Sequence, residues 1–413
     1  MPTSDGLPQR RVLFLTPQQP YPPEQGTSIR NYNLLAQVAR SHRVALLSFT
    51  QQPHADSDLA RLQALCERVV TVPAPTRTPL DRLRTLALSH EPDMARRLWS
   101  DECWQALVRL VEEWQPDVVE VEGIELGRYA LLLRERYGPR PAILFDDHNA
   151  EYVLQRRAAL ADLHLPQAWP KALYSLLQWR RLRRFERRLC LTADAVVAVS
   201  PQDAAALAAL APGIDPLVAP NGVDTARYRP GLADTLPLTH PAVVFTGKMD
   251  YRPNVDAVLW FAEHVWPQVL AASPQARLYI VGKSPRPPVA ALTAQPSIVV
   301  TGYVAEILPY FGGADVYVAP LRVGGGTRLK VLEAMAAGLP IVSTSQGAEG
   351  IDATHNVDML LADKPTAFAA AVAALLADRT RAAALGAAAR RFVERHYDWA
   401  SIAPPLVALL ARL

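Results

Sequence analysis

The sequence predicts two doubly wound α/β domains in tandem. Its 413 residues are more than one core takes, since domains run roughly 100–200 residues. Short, continuous apolar runs alternate with helix-patterned segments, which is how parallel strands covered on both faces read. The alternation stops at a Pro-rich stretch after residue 220 and then begins again.

In the first half, Arg11–Thr16 is a short apolar strand, followed by a loop carrying Pro17, Pro20, Pro22, Pro23 and Gly26 and then a helix over Ile29–Ala39. Val44–Phe49, Val69–Val72, Asp117–Val121, Ala142–Phe145 and Ala195–Val199 are further strands of the same kind, with helix-patterned segments between them. After Pro220-Asn221-Gly222-Val223-Asp224 the second half opens with a strand at Ala242–Thr246. A helix over Val255–Val269 places Trp260, Phe261 and Val265 at helical spacing. Ala276–Val281, Ile298–Thr301, Val316–Pro320 and Ile341–Ser343 are strands, and Thr327–Ala337 is a helix. The segment Trp399–Leu413 is apolar and helical but too short to be a domain. Open sheets of this type take ligands at the carboxyl ends of their strands.

Composition removes several function classes. With 43 basic and 40 acidic residues, the chain lacks the excess of a nucleic-acid binder. Cys66, Cys103 and Cys190 are scattered, without CxxC spacing, so neither a disulfide framework nor a structural zinc site is expected. No apolar run approaches the ~18 residues that cross a bilayer, and the N-terminus lacks a signal-peptide core; the expectation is a cytoplasmic protein. Lysine is scarce, at Lys171, Lys248, Lys283, Lys330 and Lys364 alone, so each position is informative.

The segment Pro320-Leu321-Arg322-Val323-Gly324-Gly325-Gly326-Thr327-Arg328-Leu329-Lys330 carries the chemistry. It reads as strand end, glycine turn and helix start. Glycines let a backbone approach a ligand closely, and a helix start offers unpaired N–H groups to an anion. Thr327 is the expected N-cap. Arg322, Arg328 and Lys330 surround the turn with positive charge suited to a diphosphate. Glu333, at i+3 from Lys330, has a carboxylate that can accept both hydroxyls of a ribose. The same residues would also serve a plain Gly-rich turn with a surface Lys330–Glu333 pair. The spacing is neither a P-loop nor a dinucleotide fingerprint.

Glu333-Ala334-Met335-Ala336-Ala337-Gly338-Leu339-Pro340 resembles the donor-binding segment of the family 4 retaining glycosyltransferases, which have the GT-B fold. Their hallmark is Glu-x7-Glu; the second Glu matches Glu333, while the first is replaced by Gly325, in a branch carrying Gly-Gly-Gly-Thr-Arg-Leu-Lys. The resemblance implies that Gly324, Gly325, Gly326 and Thr327 contact the donor, backbone amides replacing the missing carboxylate. It extends over nearly the whole chain. Thr246-Gly247-Lys248-Met249-Asp250 resembles the opening of the donor domain, so Lys248 is the implied diphosphate contact, helped by Arg252. Tyr303 and Val304 fall in the segment that reads the nucleobase, although Tyr303 also suits plain packing. The implied architecture is an acceptor-binding domain over 1–218, with the 397–413 helix returning to it, and a donor-binding domain over 219–396, facing across a cleft.

In the first half, Gly26 with Arg30 and Asn33 resembles the family's loop–helix junction near the donor phosphates. His148, after the strand ending at Phe145, matches a His near the reacting sugar. Glu120 and Glu122 suit either an acceptor contact or a capped turn.

The implied reaction is transfer of a sugar from a UDP- or GDP-sugar to a saccharide or lipid-linked hydroxyl, with retention, in polysaccharide or glycoconjugate synthesis. Positive charge on the departing diphosphate is its main device, with His148, Lys248, Arg328 and Lys330 as catalytic candidates and neither metal nor cofactor expected. Double displacement needs paired carboxylates, and Gly325 removes one, so front-face departure is implied. Competing readings are a donor-binding scaffold without turnover and a nucleotide-sugar epimerase. Finally, six arginines crowd Arg180–Arg188, and Leu176, Trp179, Leu182, Phe185 and Leu189 form an apolar stripe at helical spacing. This is either a helix docked on its own sheet or a basic amphipathic surface over 176–189 for an anionic membrane, which would make the protein peripheral on the inner face of the plasma membrane.

Overall fold

The structure, a computed structural model, describes residues 8–413 apart from 51–55, 79–80, 82–84, 86–88, 164–168, 232–235 and 325. It forms two compact units, Met1–Pro220 with Ile402–Leu413, and Asn221–Ser401.

The first unit is built on β1 (Arg11–Thr16), β2 (Arg43–Thr50), β3 (Arg68–Pro73), β4 (Val118–Glu122), β5 (Ala142–Asp147), β6 (Ala195–Ala198) and β7 (Leu217–Val218). They pair in the order β3-β2-β1-β4-β5-β6-β7, every pair parallel. Parallel pairing needs crossover helices, and those helices cover both faces. This is why β4 and β5 are buried along their whole length and read as continuous runs. Ser100 caps the helix Asp101–Trp114 by accepting from the Cys103 N–H, and Ser200 caps Pro201–Leu210 by accepting from the Asp203 N–H.

The second unit repeats the scheme with β8 (Ala242–Thr246), β9 (Arg277–Val281), β10 (Ile298–Val300), β11 (Val316–Ala319), β12 (Ile341–Ser343) and β13 (Leu360–Leu361). Their order is β10-β9-β8-β11-β12-β13, again all parallel. Alternate residues feed two cores. Val243, Phe245, Leu278, Ile280, Val316 and Val318 face one, while Ala242, Val244, Tyr279, Val281, Tyr317 and Ala319 face the other. This is the period-2 alternation of a strand. Both units therefore have the doubly wound order, which reverses between β1 and β4 and between β8 and β11.

Two local expectations are corrected. The helix expected over 255–269 is two helices, Arg252–Trp260 and Trp266–Ala272, joined by a π-type turn at Phe261–Val265. Pro267 has no N–H to continue the regular ladder. The helix after the glycine turn begins at Leu329, with Arg328 in the capping position and no side-chain cap. Thr327 is not the N-cap; its backbone is packed on Gly350, where a Cβ would come within 2.9 Å of the Thr327 Cα. The two-residue strands β7 and β13 are too short to stand out as apolar runs.

Candidate functional site

In the second unit the loops leaving β8 and β11 flank the point where strand order reverses, the place where doubly wound sheets receive ligands. The β8 loop carries Gly247 and Lys248; the β11 loop carries Arg322, the glycines and Lys330. Lys330 stands on the first turn of the helix Leu329–Ala336. Its ammonium donates to Asn254 Oδ1 at 2.6 Å and lies 4.1 Å from the centre of the Phe245 ring. Burial and the neighbouring Arg328 guanidinium push its pKa down to about 7, against the opposing pull of Glu333. Asn254 also donates through Nδ2 to the Lys248 carbonyl at 3.0 Å. One side chain thus joins the two loops.

The glycine turn is braced from the β12 side. Gln346 Nε2 donates to the Gly324 carbonyl at 2.9 Å, and the buried Arg328 pairs with Glu349 at 3.5 Å. Burial is the main influence on the Arg328 guanidinium and lowers its pKa. Gly324 and Gly326 have φ of +109° and +79°, a region that costs other residues strain. Gly325 lies outside the described residues. Glu333, half-buried, accepts from the Tyr228 hydroxyl at 3.1 Å, and its carboxyl is raised chiefly by burial.

The remaining donor candidates are on the surface. Lys248 approaches Asp250 at 3.4 Å, and Arg252 is the exposed first residue of its helix. Arg322 forks onto Asp256 at 2.7 and 3.0 Å and stacks 5.5 Å from the Trp260 ring, so its charge is already answered within the unit. Tyr303 follows β10 and is 73% exposed, which removes the packing alternative. Val304 packs partly on the unit's core.

In the first unit, His148 sits in the loop after β5. Its Nε2 meets Glu122 Oε2 at 2.8 Å. Burial alone would lower the His148 pKa, but the bond and charge of Glu122, with Asp146, outweigh it and raise it. The loop is pinned on both sides: Ala150 N donates to Asp203 at 3.0 Å, and Glu151 N and Tyr152 N donate to Glu186 at 2.8 and 2.9 Å. Glu120 and Glu122 are wholly buried. Glu120 is therefore no acceptor contact; burial, then Glu122 and Asp146, raise its pKa well above the usual range.

Arg30 is corrected more sharply. Its guanidinium forks onto Asp146 with both side chains buried, and donates to the Ala219 carbonyl at 2.9 Å. Asn33 bonds back to the Ile29 carbonyl within its helix at 2.8 Å. Of that junction Gly26 is exposed at the start of the helix Gly26–Val38, Asn33 is half-buried and Arg30 is buried. Glu122, Asp146 and His148 bring three ligand-type atoms within 4.8 Å of one another. Arg30 already supplies positive charge to Asp146 there, so a metal ion would have to compete with it.

The expected apolar stripe on the helix Trp169–Thr192 faces inward: Leu182, Phe185 and Leu189 belong to the first unit's core. The helix is docked on its own domain. Its outer face carries Arg180, Arg184 and Arg188 together with the exposed Trp169, Leu173 and Leu177.

Residues 25–227 match the family model described as Glycosyltransferase Family 4, and residues 240–378 match that described as Glycosyl transferases group 1. A GDP-mannose-dependent alpha-(1-6)-phosphatidylinositol monomannoside mannosyltransferase of Mycobacterium tuberculosis is 32% identical over 213 residues, 46% of this chain and 54% of that protein. A phosphatidyl-myo-inositol mannosyltransferase of Propionibacterium freudenreichii is 26% identical over 60% of this chain and 64% of its own. The chain thus spans little more than half the length of the first of these curated relatives. Among solved structures, sucrose-phosphate synthase from Thermosynechococcus elongatus superposes with a TM-score of 0.71 at 19% identity, covering 98% of this chain and 99% of that one. Anabaena HepE in complex with UDP and glucose gives 0.65 at 15%, covering 98% and 100%. With glycosyltransferase models matching both halves, in this order, on two doubly wound sheets, the chain belongs to the GT-B glycosyltransferases.

Proposed function

We propose that the protein is a retaining, metal-independent glycosyltransferase that takes its sugar from a nucleoside diphosphate sugar. The observation that carries this is Lys330. It is one of five lysines, half-buried at the point where strand order reverses, and it is held by a carboxamide oxygen and an aromatic face. Both partners are neutral, so its charge is available to an anion. Arg328, Lys248 and the amides of the glycine turn add to it. Breaking the anomeric bond leaves negative charge on the diphosphate, and donors already in position for that charge lower the barrier without reorganising. Glu333 is proposed to accept the ribose hydroxyls, and Tyr303 and Val304 to meet the base. His148, held by Glu122, is proposed to contact the sugar. With Gly325 in place of the first family carboxylate, departure and attack on one face account for retention better than a covalent intermediate.

The Mycobacterium tuberculosis relative acts, by name, with GDP-mannose on a phosphatidylinositol monomannoside, which favours a GDP-sugar donor and a lipid-linked acceptor. No helix among the described residues is long and apolar enough to cross a membrane. The outer face of Trp169–Thr192 is proposed as the surface that meets anionic lipid. Co-sedimentation should be greater with vesicles containing phosphatidylglycerol than with phosphatidylcholine alone; equal partitioning would refute the electrostatic contact. The donor is tested by a thermal-shift screen of UDP-, GDP- and ADP-sugars with chelator present, followed by transfer assays and NMR of the product's anomeric configuration. Binding without turnover would favour a scaffold, an inverted product would remove retention, and an epimerised sugar would replace the transferase reading.

A further inference from the structure

Asn254 lies four residues beyond the Thr246–Asp250 segment that resembles the opening of the donor domain, and no role follows for it from the motifs. It is the third residue of the helix Arg252–Trp260 and is 7% exposed. Its carboxamide is used at both ends, by Lys330 Nζ at 2.6 Å on the oxygen and by the Lys248 carbonyl at 3.0 Å on the nitrogen. Space for it exists only because residue 247 is glycine: a Cβ there would come within 2.6 Å of Asn254 Nδ2. Gly247 is in turn packed so tightly on Gly282 that a Cβ on the latter would lie 1.8 Å from the Gly247 carbonyl oxygen. Three segments far apart in sequence are thus shaped around one amide.

We propose that Asn254 is a positioning residue that sets the Lys330 ammonium and the Lys248 loop in one register for a diphosphate, and that its neutrality keeps Lys330 from being paired internally. The inference rests on the donor-site reading above. A carboxamide directs the ammonium as a carboxylate would, but without answering its charge. An aspartate of nearly the same shape would make the same contact as an ion pair and compete with the ligand. The charged groups acting on Lys330 are Arg328, which disfavours the ammonium, and Glu333, which favours it.

The test uses the full chain and its five lysines, few enough for 13Cε resonances to be followed individually; Lys330→Arg assigns the one of interest. The probes are UDP and GDP, titrated calorimetrically from pH 6 to 9. In the unsubstituted protein, Lys330 should titrate near 7, and nucleotide affinity should fall as pH rises through that value. Asn254→Asp should move the titration midpoint of Lys330 upward by roughly 1–3 on the pH scale. Binding at pH 6 should weaken, by up to about tenfold for every pH unit that the midpoint rises, the limit reached when the nucleotide takes the ammonium wholly from the carboxylate. Asn254→Ala, which removes the acceptor without adding charge, should weaken binding and move the midpoint the other way. A purely structural asparagine would lower affinity without moving the midpoint in opposite senses. Should one variant fail to fold, the sign of the other's shift, upward for Asn254→Asp or downward for Asn254→Ala, still decides, and an unmoved midpoint in the variant that folds overturns the role. Nucleotide binding with neither variant moving the Lys330 midpoint overturns the role of Asn254 alone. No UDP or GDP binding by the unsubstituted protein overturns the donor-site reading and this inference with it.

Discussion

Replacing Arg30 by methionine is the perturbation that most sharply separates a structural from a ligand-binding role in the first unit. The guanidinium makes three contacts to Asp146, at 2.7, 2.9 and 3.0 Å, and two more to the carbonyls of Ala219 and Pro220. The side chains of the pair are 2% and 0% exposed. Methionine fills much of the volume but leaves a buried carboxylate near Glu120 and Glu122, which are themselves wholly buried. Breaking a buried pair by removing one partner costs about 3–5 kcal/mol. Replacing both partners with apolar groups is often nearly neutral, so Arg30→Met with Asp146→Leu should recover much of the loss. Native-state hydrogen exchange over 118–122 and 142–147 reads this unit specifically. Arg30→Met should speed exchange there by at least about a hundredfold, since each 1.4 kcal/mol is a factor of ten. Exchange within threefold of the unsubstituted protein, with UDP or GDP affinity lost instead, would refute the structural role and restore Arg30 as a phosphate contact.

Other consequences are as direct. Gly282→Ala puts a Cβ 1.8 Å from the Gly247 carbonyl oxygen; the Lys248 loop must move, so the melting temperature should fall by an amount equivalent to ~1–3 kcal/mol and nucleotide affinity should fall with it, whereas unaltered affinity would detach that loop from the donor site. Burial raises the carboxyls of Glu120 and Asp147 well above their usual range and that of Glu186 to about 7. For such groups the folded state binds protons more tightly than the unfolded chain, so their stabilisation is complete below the unfolded pKa, roughly 4, and is lost as pH rises through the folded value. Hydrogen-exchange protection of the first unit, corrected for intrinsic rates, should therefore decline between pH 5 and pH 8; protection that rises over that range would contradict it.

The fold was legible because buried parallel strands read as continuous apolar runs. β1, β8 and β12 occupy the residues that their runs predict. What escaped was short or non-local. β7 and β13 are two residues each, below any periodic signal. The Arg30–Asp146 pair spans 116 positions, so nothing local to Arg30 distinguishes a guanidinium facing a ligand from one facing a buried carboxylate. At the donor site, Lys330, Lys248 and the glycines were visible because charge and backbone freedom show in residue type. Asn254 and Gln346 were not, since a carboxamide is equally at home in a turn or a cap and acquires its role only from what lies opposite. Thr327 misled for a related reason: it is a favoured capping residue by type, yet the helix begins two residues later, at Leu329.

The turn between β11 and Lys330 is proposed to stabilise a departing diphosphate. This is tested most directly by following nucleoside diphosphate release from GDP- and UDP-sugars, by 31P NMR with chelator present, for the unsubstituted protein and for Lys330→Ala shown by its melting curve to be folded. Release is expected from at least one donor, with a fall of more than about tenfold in turnover for Lys330→Ala, the scale of a lost charge-stabilising donor. Release at an unchanged rate from the folded variant, or none from any donor by the unsubstituted protein, would contradict it.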